Sequence, residues 1–278
     1  MANNAQVARL KEQAKQVRKT LLTMIHAAQS GHPGGSLSAA DIMTALYFHE
    51  MNLRPKEPRW EDRDRFVLSK GHVCPVLYTC LALRGFFDAS HLSTLRKEGS
   101  ILQGHPDMKV CPGIDISTGS LGQGLSVAVG IALCAKRDAK SYRVFALVGD
   151  GEANEGQIWE AVQTAVKYKL DNLVIFVDNN GLQNDNTCDI VMPTLDLAQK
   201  FKAFGCNCQS IDGHDMAAIV DALDTVRDDR GGKPHCIIAK TVKGRGVSFM
   251  ENVVAWHGMA PNDEQFAHAM LDVEEGLH

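Results

Sequence analysis

Two short stretches of this 278-residue chain gather side chains suited to holding a charged ligand. Gly149-Asp150-Gly151 follows the apolar run 144–148, and Asn179-Asn180-Gly181 follows the apolar run 173–177, with Asp178 between. A carboxylate and a side-chain amide are hard oxygen donors of the kind that Mg2+ or Ca2+ takes, and such an ion fills its shell with waters and substrate phosphate oxygens. Gly149 and Gly151 carry no Cβ, so the backbone can approach that ligand closely. Gly, Asp and Asn are also the ordinary residues of βα turns, and this pair of stretches alone leaves both readings open.

Histidines recur in the same kind of setting. His32 lies in Ser30-Gly31-His32-Pro33-Gly34-Gly35-Ser36, His72 in Ser69-Lys70-Gly71-His72, His105 in Gly104-His105-Pro106 and His257 in Trp256-His257-Gly258. Imidazole donates or accepts a hydrogen bond and titrates near neutral pH, which suits it to moving protons. For His72 a capping or packing role is the competing reading, and His214, in Asp-Gly-His-Asp, is expected to be structural. The glycine-rich stretch Ser117 to Leu125 is a candidate anion nest at a helix start.

The elements that must position these groups alternate. Apolar residues at helical spacing make one amphipathic helix up to about Ala28. The glycines and proline of 30–36 then predict an exposed loop, and Ser38 a cap for a helix over 39–50. A strand over 65–68, a helix over 73–83, a helix near 91–98 and a helix from the glycine-rich stretch to about Lys136 follow. The runs 144–148 and 173–177 read as buried strands joined by a helix, a βαβ unit that places Asp150 and Asn180 on one edge of a parallel sheet. That edge is where α/β proteins bind ligands. Further strands are expected over 205–211, with Cys206 and Cys208 on one face, and over 235–242. Between them lies a helix over 215–227. Lys243 to Gly246 reads as a mobile basic loop, and the last helix begins near Asp263 behind an Asn262/Gln265 capping box. The fold class is α/β, a doubly wound, mainly parallel sheet flanked by helices, with residues 1–278 as one domain.

Composition narrows the class further. The formal charge is −4 with both signs spread along the chain, so no nucleic-acid footprint appears. No uncharged apolar run is long enough to span a membrane, and the polar N-terminus is not a signal peptide. Eight cysteines without metal or redox spacing read as reduced core residues of a cytoplasmic protein.

Taken together, Gly149-Asp150-Gly151 and the Asn179-Asn180 pair thirty positions on resemble the thiamine-diphosphate signature. The segments Ser30 to Gly35, Phe66 to His72, Gly104 to Pro106, Thr118 to Gly124, Gly149 to Ala161, Lys240 to Phe249 and His257-Gly258 resemble transketolases, in the family's order and over nearly the whole chain. The resemblance implies the thiamine-diphosphate-binding fold of the diphosphate-holding type. It implies metal ligation by Asp150, Asn180 and the main-chain carbonyl of Leu182, and cofactor contacts from His72, Gly149, Gly151 and His257. Gly119, Ser120 and Leu121 would lie around the aminopyrimidine, although many transketolases have proline at the position of Ser120. His32 and His105, with His257, would hold the donor sugar's hydroxyls and assist proton movement. Glu155 and Glu160 would form a carboxylate pair at a subunit interface, with Glu155 close to the cofactor.

A whole transketolase is more than twice this long. The resemblance therefore implies an N-terminal subunit that acts with a C-terminal partner chain, which supplies the pyrimidine-binding domain, the glutamate that activates the cofactor and the sugar-phosphate grip. The assembly expected is a heterotetramer built on a dimer, transferring a two-carbon ketol unit from a ketose or ketose phosphate to an aldose. Three alternatives stand beside this: another thiamine-diphosphate enzyme (a 1-deoxyxylulose-5-phosphate synthase or a 2-oxo acid dehydrogenase α subunit), a non-catalytic subunit of the same fold, or a truncated longer protein.

Overall fold

The computed structural model describes residues 2–276. In chain order they form α1 (Asn4–Ala28), α2 (Pro33–Ser38), α3 (Ala40–Ala45), β1 (Arg65–Leu68), α4 (Cys74–Arg84), α5 (Gln123–Arg137), β2 (Val144–Gly149) and α6 (Gly156–Lys167). These are followed by β3 (Leu173–Asn179), α7 (Cys188–Val191), α8 (Leu197–Ala203), β4 (Asn207–Asp212), α9 (Met216–Asp228), β5 (His235–Lys240) and α10 (Asp263–Glu275).

The five strands make one parallel sheet in the order β1-β2-β3-β5-β4. Apolar runs with no polar alternation demand cover on both faces, and every residue of β2 is buried. Side chains alternate across the pleat, and the two cores follow that alternation. Phe66, Leu68, Phe145, Leu147, Phe176 and Ile237 face a layer containing α1, α3, α4 and α9. Val67, Val144, Ala146, Ile175, Val177 and Ile238 face a layer containing α5, α6 and α8. Each large aliphatic or aromatic side chain so buried contributes about 1.5–3 kcal/mol. From β3 the chain leaves through α8 on one face, whereas β5 is reached through α9 on the other. The crevice at the carboxyl ends of β3 and β5 is therefore a point where the winding switches sides, the usual place for a ligand in such sheets.

Several expectations change at this level. Residues 33–38 form a buried helix instead of an exposed loop. Pro33 presets its first turn, and the glycines serve close approach. A Cβ on Gly34 would stand 2.8 Å from the Trp256 carbonyl oxygen, and one on Gly35 2.6 Å from Val73. Ser38 caps nothing; its hydroxyl donates to the Gly35 carbonyl at 3.0 Å and to Asp178 Oδ2 at 2.6 Å. The helix expected over 39–50 is α3 followed by a π turn over Leu46–Glu50. Near 91–98 there is only a 3-10 helix, Ala89–Thr94. Strand β4 starts at Asn207, so Cys206 precedes it, although both it and Cys208 belong to the α5/α6/α8 layer. Lys243 to Gly246 is not a free loop: Lys243 is buried and the Gly244 N–H donates to the Gly34 carbonyl at 2.9 Å. The Asn262/Gln265 capping box is present. All eight cysteines are free, and among the described residues no helix is long and apolar enough to cross a membrane.

One buried ion pair joins the helical layer to the sheet's carboxyl edge. Arg18 of α1 donates to both oxygens of Asp41 in α3, at 2.9 and 2.6 Å. The Val242 N–H donates to His214 Nε2 at 2.8 Å, so the ring proton sits on Nδ1 and points at Asp41 Oδ2, also at 2.8 Å. His214 is thus a structural strut. Burial alone would raise the Asp41 carboxyl, but Arg18 and His214 hold it well below the usual carboxylate range. Asp41→Asn leaves a buried guanidinium without its charge partner and is expected to cost about 3–5 kcal/mol near neutral pH, read from denaturant midpoints. This contribution is present above the unfolded carboxyl's value of about 3.9 and is lost as pH falls through the lower folded value. The gap between wild type and variant should therefore narrow below roughly pH 4.

Candidate functional site

The site is built on the carboxyl ends of four neighbouring strands. In the β2/β3 register Gly149 pairs with Asp178, so the turns beyond these residues emerge side by side. Asp150 is almost wholly buried. Its Oδ1 accepts from the Gly151 N–H at 2.7 Å and its Oδ2 from the Gly181 N–H at 2.6 Å, which fixes the carboxylate and leaves lone pairs on both oxygens. The Leu182 N–H donates to Asn180 Oδ1 at 3.1 Å, and the Leu182 carbonyl lies 3.4 Å from the Lys243 ammonium. Burial and the neighbouring Asp178 raise the Asp150 carboxyl. A preset carboxylate, an amide oxygen and a carbonyl oxygen on one turn are the donor set of a small hard cation, and the uncompensated charge of Asp150 calls for one.

Beside it stand two buried charges that the sequence reading passed over. Asp178 is fully buried; its Oδ2 accepts from Lys70 Nζ and Ser38 Oγ, each at 2.6 Å, and Thr241 Oγ1 bonds Oδ1. Burial raises this carboxyl, and Lys70 with the hydroxyls more than offsets that, leaving it below its ordinary value. Lys243 Nζ lies 3.0 Å from the Gln183 carbonyl and 2.8 Å from His257 Nδ1. Burial, then Lys70, pushes the Lys243 ammonium down to about 8. The available signal was a carboxylate at the end of an otherwise apolar strand, which needs a cation, and a lysine just past each of two other strands.

The histidines gather next to Lys243. His32, His72 and His257 form a triangle with ring centroids 5.1–5.3 Å apart. Burial comes first in keeping these rings neutral, assisted by Arg96 at His32 and by the lysines at the other two; His32 is lowered to about 4 and His257 to about 3, with His72 lower still. His105 is exposed at the rim, also lowered by burial and Arg96. Its ring lies against Gly119, where a Cβ would meet it at 3.1 Å and where φ is +156°. Neutral rings in a partly dry cleft are hydrogen-bonding groups rather than charges.

The glycine-rich stretch closes the other wall. Thr118 Oγ1 donates to the Leu68 carbonyl at 2.7 Å, and Gly71 packs so tightly on Thr118 and Gly119 that a Cβ would stand 2.8 Å from the hydroxyl oxygen. Gly119, Ser120 and the exposed Leu121 thus border the cleft, along a recess of about 210 Å3 shared with Gln123 and Val127. Glu152, buried and also passed over in the sequence, ties this wall to the sheet. It accepts from Ser69 Oγ at 2.5 Å, the Gly122 N–H at 2.8 Å and the Gly149 N–H at 3.0 Å. Glu155 and Glu160 are exposed on the surface of this chain, so their expected burial at an interface requires another subunit. His214 stands outside the cleft, bound to Asp41. A second group of potential ligands, His49, Glu50 and Asp224, lies away from this edge, where Arg143 and Arg227 already neutralise Glu50.

With this geometry in view, the comparisons with known proteins are decisive. Residues 10–272 match the family model described as transketolase, thiamine diphosphate binding domain. The chain belongs to the transketolase family. It is 43% identical over 272 residues to the first of the subunits that make up the apulose-4-phosphate transketolase of Phocaeicola vulgatus, covering 98% of this chain and 96% of that one. It is 44% identical over 266 residues to the 6-deoxy-6-sulfo-D-fructose transketolase subunit SqwG of a Clostridium species, covering 96% of each. Among solved structures, the transketolase of Campylobacter jejuni superposes with a TM-score of 0.90 at 34% identity, over 99% of this chain but 43% of that one. This transketolase-family chain therefore corresponds to the N-terminal, thiamine-diphosphate-binding subunit of a two-chain transketolase and spans about two-fifths of the single-chain enzymes it matches.

Because Glu152 satisfies one hydroxyl and two backbone N–H groups, Glu152→Ala orphans three buried donors at about 1–3 kcal/mol each. Its melting temperature should fall sharply, by scanning calorimetry, while Glu155→Ala, whose carboxylate makes no bond among the described residues, should melt with the wild type.

Proposed function

We propose that this transketolase-type subunit, its residues forming one domain, transfers a two-carbon ketol unit from a ketose or ketose phosphate to an aldose, together with a C-terminal partner chain. The observation that carries this reading is the shared cleft in which the Asp150/Asn180 turn, the neutral histidine triangle and the Gly119 wall converge. Asp150, Asn180 and the Leu182 carbonyl would hold Mg2+ or Ca2+. Gly149 and Gly151 leave room for the diphosphate; a Cβ on Gly151 would stand 2.8 Å from the Gln183 side chain. His72, His257 and Lys243 would meet that diphosphate, and Gly119, Ser120 and Leu121 the aminopyrimidine. Glu155 and Glu160 would lie at the contact with another subunit.

Thiamine diphosphate, when bound, supplies the carbanion centre for carbon–carbon bond cleavage. This chain's own work is positional. Asp178 and Glu152 hold the walls, while His32 and His105 would bond the sugar hydroxyls and support proton movement at those oxygens. The glutamate that activates the cofactor would come from the partner, in a heterotetramer built on a dimer. The names of the two relatives, which act on apulose 4-phosphate and on 6-deoxy-6-sulfo-D-fructose, support a sugar outside the common pentose phosphates as readily as one within them. Eight free thiols fit a cytoplasmic setting.

The purified chain is expected to lack ketol transfer alone and to gain it on mixing with its partner, in an assay of ketose donors with an aldose acceptor. Full activity without a partner, or activity with 2-oxo acid donors instead, would overturn the assignment. Asp150→Ala should abolish metal-dependent cofactor binding in the assembled enzyme, measured by titration of thiamine diphosphate with and without Mg2+; an unchanged affinity would remove Asp150 from the metal site.

A further inference from the structure

Arg96 belongs to none of the motifs above, yet it is held in a demanding conformation at the rim of the cleft. Its φ is +60°, a left-handed value that costs a side chain with a Cβ energy and persists only where the surroundings impose it. The Arg96 N–H donates to the Leu102 carbonyl at 2.8 Å, closing the loop on itself. This turn sends the guanidinium across two separate loops. Nη1 donates to Ser30 Oγ at 3.0 Å, and Nη2 reaches the Gly104 carbonyl at 3.5 Å and His32 Nδ1 at 3.4 Å. A Cβ on Gly104 would stand 3.2 Å from the guanidinium carbon, so that glycine keeps the arginine's place open.

A guanidinium has only donors and keeps its proton at any ordinary pH. A ring nitrogen that accepts from it must be bare. His32 Nδ1 is therefore the acceptor, and the one proton of the neutral ring sits on Nε2. That nitrogen faces the cleft: it lies 3.5 Å from where a Cβ on Gly258 would stand, beside His257. Arg96 also joins burial, His105 and Lys243 in keeping the ring uncharged.

We propose that Arg96 is a positioning residue that fixes His32 as the Nε2–H tautomer, so that this histidine meets the substrate as a hydrogen-bond donor and not as a base. This rests on the proposed ketol transfer, in which His32 faces a sugar oxygen. A donor there stabilises negative charge gathering on that oxygen as the carbon–carbon bond breaks or forms.

The test is a long-range 1H–15N spectrum of the full chain labelled at histidine, with the His32 signals assigned by their loss in His32→Gln. The wild type should show a bare Nδ1 and a protonated Nε2 from pH 6 to 8. In Arg96→Met the two tautomers should mix and the ring should titrate closer to 6.5. With the partner present, kcat should fall by at least about tenfold. A protonated Nδ1 in the wild type, or a tautomer and titration unchanged in Arg96→Met, would overturn the proposal. Because the spectrum needs neither substrate nor partner, it stands apart from the ketol-transfer assay: a bare Nδ1 with no transferase activity would sink the function and leave the tautomer assignment intact.

Discussion

The carboxyl edge of this sheet depends on one buried carboxylate. Asp178 takes hydrogen bonds from Lys70 beyond β1, Ser38 of α2 and Thr241 beyond β5, and so ties three chain segments to the end of β3. Each segment also carries a group facing the cleft or its margin: His72 follows Lys70, His32 precedes α2, and Lys243 follows Thr241. A carboxylate fully removed from water demands such complete pairing. The same demand brings the histidines together, since the loops that satisfy Asp178 are those that hold them. Glu152 does the corresponding work on the other wall for Ser69, Gly122 and Gly149. Two acids with no proposed contact to substrate thus set the distances between groups that have one.

Much of this was legible from spacing. Both central strands were apparent as unbroken apolar runs because a strand covered on two faces has no polar alternation to obscure it. The placement of Asp150 beside Asn180 followed from the handedness of a βαβ unit. The convergence of His32, His72 and His257 did not follow from spacing at all, since they lie on loops far apart in sequence; only the family resemblance anticipated it.

What stayed hidden has a common physical origin. Glycines at 34, 35 and 244 look like signals of loose loops, yet here they permit contacts closer than a Cβ allows, so segments read as exposed or mobile are among the tightest in the molecule. Ser38 looked like a helix cap because its type suits one, while its hydroxyl is engaged by an acid 140 positions away. Lys70, Glu152 and Asp178 were visible as residues but silent as partners, because a long-range ion pair leaves no local periodicity. Arg96 was silent for the same reason.

The two hydrophobic layers on opposite faces of the sheet also divide the site's supporting cast. His32, His72 and His257 sit on loops attached to α2, α4 and α10, in the layer built on α1, whereas Gly119 to Leu121 and Glu155 lead into α5 and α6 across the sheet. Side chains of the two layers are separated by the strands' backbone, so a volume change in one has little means of reaching the other. Substrate preference and the assembly of chains would then be insulated from one another. A lineage of such proteins could exchange one sugar for another while its quaternary surface stayed as it was.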